Sequence, residues 1–126
     1  MNFPDDLKYT DDHEWLRVEG NIGTMGVTDH AQGELGDVVY VDIPDDVHIV
    51  KAGVAFGTIE AVKTVADLLA PVSGKVHEVN RALNDAPEAV NQDPYGAGWM
   101  LKIEMSDLSE INKLMDVKAY KELIGQ

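Results

Sequence analysis

The residue in this sequence with the clearest chemical potential is Lys63, which lies at the centre of a nearly symmetric stretch. Turn signals precede it at residues 51–53 and follow it at residues 71–74. Between these turns lie two short apolar runs, residues 54–59 and 64–70, whose β-branched and small side chains are typical of strands. The pattern predicts a β-hairpin with Lys63 at its tip.

A lysine at such a tip presents an amine on a flexible four-carbon side chain, which suits the attachment of an acyl group that has to swing. The connection from Glu60 to Lys63 lacks the Asn-Gly or Gly-Asn pair that favours tight turns, so turn propensity does not explain it. An ordinary solvated lysine on a turn fits the spacing equally well.

The elements that must position this hairpin are mostly short strands. Five further runs have the composition or alternation of strands: residues 14–18, 22–27, 38–43, 75–80 and 99–105. Gly20 and Asn21 predict a tight turn between the first two of these runs. Residues 81–98 are rich in Asn, Asp, Pro and Gly, which predicts that this segment is mostly loop.

Helix is predicted only at the edges of this pattern. Thr28 can cap a short helix that runs through Leu35. Ser106 is predicted to cap a closing helix in which apolar residues recur at helical spacing: Leu108, Ile111, Leu114 and Met115. Asp116 is predicted to start a last helical turn or two before Gly125. Many short strands with helix at the edges predict a mainly β fold, either a compact barrel or a sandwich.

Composition limits the remaining possibilities. A chain of 126 residues with 44% hydrophobic composition predicts one domain, residues 1–126, that buries its own core. The formal net charge of −13 argues against nucleic acid and membrane partners and favours partners with basic docking faces, although acidity can also serve solubility alone. No secretory signal or transit peptide is visible, so we expect a cytoplasmic protein or a mature form already trimmed.

No enzyme motif survives inspection. His13 and Glu14 begin like a zinc-protease helix, but Arg17 stands where the second histidine ligand is needed. Ser73 lacks the flanking glycines of a hydrolase nucleophile, and there is no phosphate-binding loop. The other histidines are scattered: His30, His48 and His77. We therefore expect a carrier without catalytic residues and without a metal site.

Motifs along nearly the whole chain resemble the glycine cleavage system H protein family. Around Lys63, residues 60–64, 67–68 and 70–76 are similar to the family's lipoyl-attachment hairpin. The other matching motifs occur in the family's order: residues 9–10, 13–15, 26–32, 35–37, 93–96 and 98–99. Ala61 and Thr64 replace the usual serine and alanine, and both substitutions keep small side chains beside the lysine.

The resemblance implies a flattened β barrel or sandwich hybrid of the lipoyl/biotinyl type, with a short internal helix and a C-terminal helix. Residues 22–105 would form the lipoyl-binding β core, and residues 106–125 a C-terminal helical segment. Lipoate would be attached to Lys63 in amide linkage by lipoylating enzymes. Such a carrier takes an aminomethyl group from glycine decarboxylase (P protein) to an aminomethyltransferase (T protein), and dihydrolipoyl dehydrogenase (L protein) reoxidises it.

The resemblance also implies a sheltered site for the loaded arm, meaning lipoyl-lysine that carries the aminomethyl group. Glu14 and Asp67 correspond to the family's residues near the folded-back arm, and Asp12 would add a further negative charge. Glu14 and Asp67 would also be unremarkable as surface acids.

Three alternatives stay open. An H-like protein can act as a lipoyl relay that supplies 2-oxoacid dehydrogenases, although the presence of Glu14 and Asp67 favours glycine cleavage. The same scaffold can also serve as an unmodified interaction domain. A biotin carrier is less consistent with the sequence, because Val62 and Thr64 stand where biotin domains usually have methionines.

Overall fold

The computed structural model describes residues 1–126 and shows two antiparallel β-sheets that share an apolar core. The strands are β1 Lys8–Tyr9, β2 Glu14–Glu19, β3 Ile22–Val27, β4 Val38–Asp42, β5 Ile49–Val50, β6 Ala55–Ala61, β7 Val65–Leu69, β8 Gly74–Val79 and β9 Leu101–Met105. The α-helices are α1 Asp29–Leu35, α2 Ala89–Gln92 and α3 Val117–Leu123. Two 3-10 helices span Arg81–Asn84 and Leu108–Lys113.

One sheet has six strands in the order β1-β2-β3-β9-β8-β5, and the other has three in the order β4-β6-β7. Neither sheet closes on itself, so the predicted mainly β fold is confirmed as a sandwich with open edges. The predicted short internal helix and C-terminal helix are present as α1 and α3. No helix in the structure has both the length and the apolar character needed to cross a membrane.

Local sequence explains several of these elements. Strands β2 and β3 form the predicted hairpin, and Gly20 takes the positive φ of 63° that its tight turn requires. Thr28 caps α1, where its hydroxyl accepts a hydrogen bond from the N–H of Ala31. Asp116 caps α3 in the same way, through the N–H of Ala119.

Two apolar clusters hold the sheets and the chain ends. The larger cluster has 18 buried residues and includes side chains from both sheets, such as Leu16, Ile59 and Ile103. The smaller cluster attaches the N-terminal segment and α3 to the start of β2: Phe3, Leu7, Tyr9, Trp15, Tyr95 and Tyr120. Because β2 begins at Glu14, both clusters fix the position of that residue.

The closing helix predicted from Ser106 is wrong in its cap, its type and its end. Asp107 caps this segment instead, the helix at Leu108–Lys113 is of the 3-10 type, and it ends before Met115. Met115 is needed in extended conformation because it exchanges two backbone hydrogen bonds of 2.8 Å with Tyr9. A pairing between residues this far apart in sequence overrides the local helical spacing.

The segment of residues 81–98 is mostly loop, as predicted, and also contains the 3-10 helix Arg81–Asn84 and the single turn α2. Asn91 on α2 accepts a hydrogen bond of 2.9 Å from the N–H of Val38 and donates one of 2.8 Å to the carbonyl of Gly36. The segment therefore supports the start of β4, which pairs with the hairpin strand β6.

Candidate functional site

Strands β6 and β7 form the predicted central hairpin, and residues 62–64 make its loop. The N–H of Ala61 donates a 2.8 Å hydrogen bond to the carbonyl of Thr64, which closes the loop. The N–H of Val62 donates a 3.0 Å hydrogen bond to the carbonyl of Asp37, just before β4. The tip is therefore held by backbone hydrogen bonds rather than by turn-forming side chains.

Lys63 lies exposed in this loop and forms no salt bridge with any carboxylate of the chain. Its neighbours Val62 and Val65 are 71% and 61% exposed, which is unusual for apolar side chains of this size. The tip thus offers a free amine beside an apolar surface that an enzyme could contact.

A cleft of about 190 Å³ lies beside the hairpin, between β7, the start of β2 and α1. It contains all three carboxylates proposed for the sheltered site, namely Asp12, Glu14 and Asp67. Its remaining wall includes a further carboxylate, Glu34, and apolar side chains such as Leu35 and Ile59. Sequence reasoning missed these wall residues, and the position of Glu34 one helical turn after His30 was the one available signal.

Glu14 is the most unusual of these acids, because it is only 3% exposed. Its Oε2 accepts a 2.8 Å hydrogen bond from the N–H of Leu69 on β7, which joins the six-stranded sheet to the hairpin. Its Oε1 is buried and has no hydrogen-bond partner. Burial raises the pKa of Glu14 to about 8, opposed by the Leu69 hydrogen bond and assisted by the negative charge of Asp12.

Asp12 and Asp67 are exposed at the rim of the cleft. Asp67 lies on β7 opposite Thr58, and Asp12 lies in the turn that precedes β2. The cleft therefore has one buried carboxyl group at its inner wall and several solvated carboxylates around it. A small cation with an apolar tether fits this combination of charge and wall.

A family model described as glycine cleavage H-protein matches residues 7–126. The chain belongs to the glycine cleavage H-protein family. It is 52% identical to the glycine cleavage system H protein of Bacteroides thetaiotaomicron over 99% of both chains. It is 51% identical to that of Staphylococcus saprophyticus over 100% of both chains. The crystal structure of a glycine cleavage system H protein from Mycobacterium marinum has a TM-score of 0.89 at 38% identity and covers 98% of this chain and 100% of its own.

Membership in the H-protein family supports a lipoyl carrier role in glycine cleavage and partners within that system. The residues present around the hairpin and the cleft fit a lipoyl group. Lys63 supplies an exposed amine, and the cleft supplies apolar wall for a hydrocarbon arm. The buried Oε1 of Glu14 is a polar atom that the chain itself leaves without a hydrogen-bond partner.

Proposed function

We propose that Lys63 carries lipoate in amide linkage and that the protein shuttles the aminomethyl group of glycine between the enzymes of the glycine cleavage system. The observation that carries this proposal is the exposed, unpaired Lys63 at the tip of the hairpin in a chain of this family. Lys63 would hold the lipoyl group, which would supply a disulfide able to accept the aminomethyl group from the P protein for the T protein and to be restored by the L protein.

Lys63 contributes reach and effective concentration. The hairpin holds its amine outside the body, so an attached group can enter the active sites of separate enzymes. A tethered group stays at a high local concentration and does not diffuse away between those enzymes. Carrying the group requires no catalysis by Lys63, so the role proposed for the protein is that of a non-catalytic carrier.

The cleft contributes shelter. Glu14 and Asp67 would pair with the ammonium of the carried group, and Asp12 would add to the negative potential at the rim. Leu35 and Ile59 would cover the hydrocarbon part of the arm and exclude water from the reactive carbon. A lipoyl relay has no use for such an acidic cleft, so the cleft favours glycine cleavage over the relay.

The test of attachment is intact mass after incubation with a lipoylating enzyme and lipoate. We expect one lipoyl group on the wild-type protein, none on Lys63→Arg and one on Lys75→Arg, a matched change of an exposed lysine on β8. A lipoyl group on Lys63→Arg would contradict the assignment.

A further inference from the structure

A short chain of hydrogen bonds links the cleft to helix α3. Nδ1 of His13 lies 2.9 Å from the hydroxyl of Tyr120, and this hydroxyl lies 2.8 Å from Oγ1 of Thr28. Tyr120 and Thr28 are fully buried, while His13 lines the cleft next to Glu14. The imidazole therefore connects the cleft, α3 and the start of α1.

The number of protons in this chain fixes the state of the imidazole. Oγ1 of Thr28 accepts the N–H of Ala31 with one lone pair, and its own proton is a separate donor that needs an acceptor. If Nδ1 of His13 accepts a hydrogen bond from the Tyr120 hydroxyl, the Thr28 hydroxyl can donate to the oxygen of Tyr120. Each of the two hydrogen bonds then contains one proton. A proton on Nδ1 would leave one buried hydroxyl without an acceptor, which is costly. The geometry thus favours neutral His13 with its proton on Nε2.

The backbone of His13 is also unusual, because it is the one non-glycine residue with a positive φ, 66°. Its carbonyl accepts a 3.0 Å hydrogen bond from the N–H of Thr28. Thr10 closes the same turn, since its N–H donates to the carbonyl of Glu14 at 2.9 Å and its Oγ1 accepts the Glu14 N–H at 3.2 Å. A non-glycine residue keeps a positive φ only where the surrounding structure holds it there. The same hydrogen bonds fix the start of β2 and therefore the position of the Glu14 side chain.

We propose that His13 is a positioning residue of the cleft, in which the neutral imidazole, held by Tyr120, fixes the turn of residues 10–14 so that the Glu14 carboxyl faces the arm. Protonation of His13 at Nδ1 reverses this hydrogen bond and leaves one buried hydroxyl without an acceptor, which weakens the hold on the turn. The inference rests on the proposed function only where it assigns a loaded arm to the cleft.

Four other titratable groups face the imidazole, from α1 and from the turn itself: His30, Asp11, Asp12 and Glu34. The rings of His13 and His30 are 4.8 Å apart. Burial and the proximity of His30 lower the pKa of His13, and the three carboxylates act in the opposite direction. The surroundings are thus consistent with a neutral imidazole when the cleft is in use.

Three variants separate the contributions of His13. His13→Asn tolerates the positive φ, places Oδ1 close to the position of Nδ1 and cannot be protonated in the working range. His13→Gly tolerates the same φ but has no acceptor. Tyr120→Phe removes only the hydroxyl and keeps the ring, which stacks on Tyr9 at 4.7 Å.

The first experiment uses protein without lipoate and records the ring nitrogens of His13 and the carboxyl carbon of Glu14 by NMR as the pH is changed. We expect the proton on Nε2 at neutral pH. We also expect the titration midpoint of Glu14 to fall by about one pH unit, a tenfold change in proton affinity, in Tyr120→Phe and His13→Gly. His13→Asn should keep the wild-type midpoint. Equal midpoints in all four proteins, or a proton on Nδ1, would overturn the proposal.

The second experiment measures the lifetime of the loaded arm in lipoylated protein across pH. Tyr120→Phe and His13→Gly should shorten this lifetime roughly fivefold, the effect of one ordinary hydrogen bond. Glu14 takes up a proton in both proteins as the pH falls, so the effect of His13 is read as a ratio. The lifetime of the wild type relative to His13→Asn should fall by the same factor as His13 becomes protonated. Equal lifetimes would contradict the positioning role. A wild-type protein that never loads would refute the proposed function and leave the NMR result standing.

Discussion

Glu14 holds its carboxyl group where water cannot solvate a charge. One oxygen binds the N–H of Leu69, and the other is buried without a partner. With a pKa raised to about 8 by burial, the group is mostly uncharged at neutral pH when the cleft is empty. An ammonium docked against Oε1 would favour the charged form, so we expect loading to release the proton of Glu14.

The raised pKa predicts a specific dependence of stability on pH. Folded Glu14 keeps its proton between its ordinary pKa of 4.5 and about 8, whereas the unfolded chain has lost it. The contribution of Glu14 to the free energy of unfolding is therefore fully present below pH 4.5 and falls as the pH rises to 8. The loss is at most about 1.4 kcal/mol per pH unit.

The measurement is urea unfolding of wild-type protein and Glu14→Gln at several pH values from 5 to 8. Glutamine keeps an acceptor for Leu69 but does not titrate, so other groups cancel in the difference between the two proteins. We expect the wild type to lose stability relative to Glu14→Gln as the pH rises. A difference that stays constant across this range would show that Glu14 ionises normally.

Removing the Glu14 carboxylate should leave lipoylation intact and shorten the life of the loaded arm. A charged hydrogen bond in a protected site is worth about 1.5–3 kcal/mol, so the lifetime should fall roughly tenfold or more in Glu14→Ala. Glu19→Ala, at the exposed far end of β2, is the matched control and should have no effect. An unchanged lifetime in Glu14→Ala would remove this role.

At the scale of elements, the hairpin depends on close contact between β4 and β6. A Cβ atom added at Gly57 on β6 would collide with the backbone carbonyl oxygen of Asp42 on β4. Neither atom is at the end of a flexible side chain, so one strand would have to move. Gly33 on α1 offers a contrast, since no heavy atom lies within 4 Å of its added Cβ.

We therefore expect Gly57→Ala to lower the free energy of unfolding by about 1–3 kcal/mol and to shift the hairpin. Gly33→Ala should be neutral or stabilising by about 0.5–1 kcal/mol, because alanine favours helix. Chemical denaturation of both variants measures the effect, and the rate of lipoylation of Lys63 reports on the tip. If Gly57→Ala were as stable as the wild-type protein, close contact with β4 would not limit the position of the hairpin.

The elements that the sequence predicts correctly are those set by local patterns. The β2–β3 hairpin has its own turn residues, helix α1 has its own cap residue, and the hairpin around Lys63 has two β-branched runs bounded by turn signals. Strands β1 and β5, which have two residues each, are too short for any pattern. Strand β1 pairs with the nearby β2, whereas β5 forms through β8, which is distant in sequence. The closing helix failed for the same reason, since Met115 pairs with Tyr9.

The amino-acid sequence alone predicts the cleft less well than it predicts the strands and helices. Asp12, Glu14 and Asp67 were singled out by resemblance, and spacing gave no reason to bring the turn before β2 next to β7. The burial of Glu14 could not be predicted either, because a glutamate at the start of a strand normally faces solvent. The burial of Glu14 depends on the apolar cluster around Trp15, which fixes the position of the strand and forms only in the folded protein.

For the whole molecule, the proposed role requires only one reactive attachment point on an otherwise inert body. The chain has no cysteine that could exchange with a lipoyl disulfide. Its formal net charge of −13 favours docking on basic faces of partner enzymes. The two apolar clusters hold the sheets and both chain ends around the cleft, so the arm is the part expected to move between partners.

The most direct test is exchange between bicarbonate and the carboxyl group of glycine, using protein shown by mass to be fully lipoylated together with an active glycine decarboxylase. We predict exchange with the wild-type protein and none with Lys63→Arg. No exchange from the fully lipoylated wild type, with a decarboxylase that works with another H protein, would contradict the glycine cleavage role and favour the lipoyl relay.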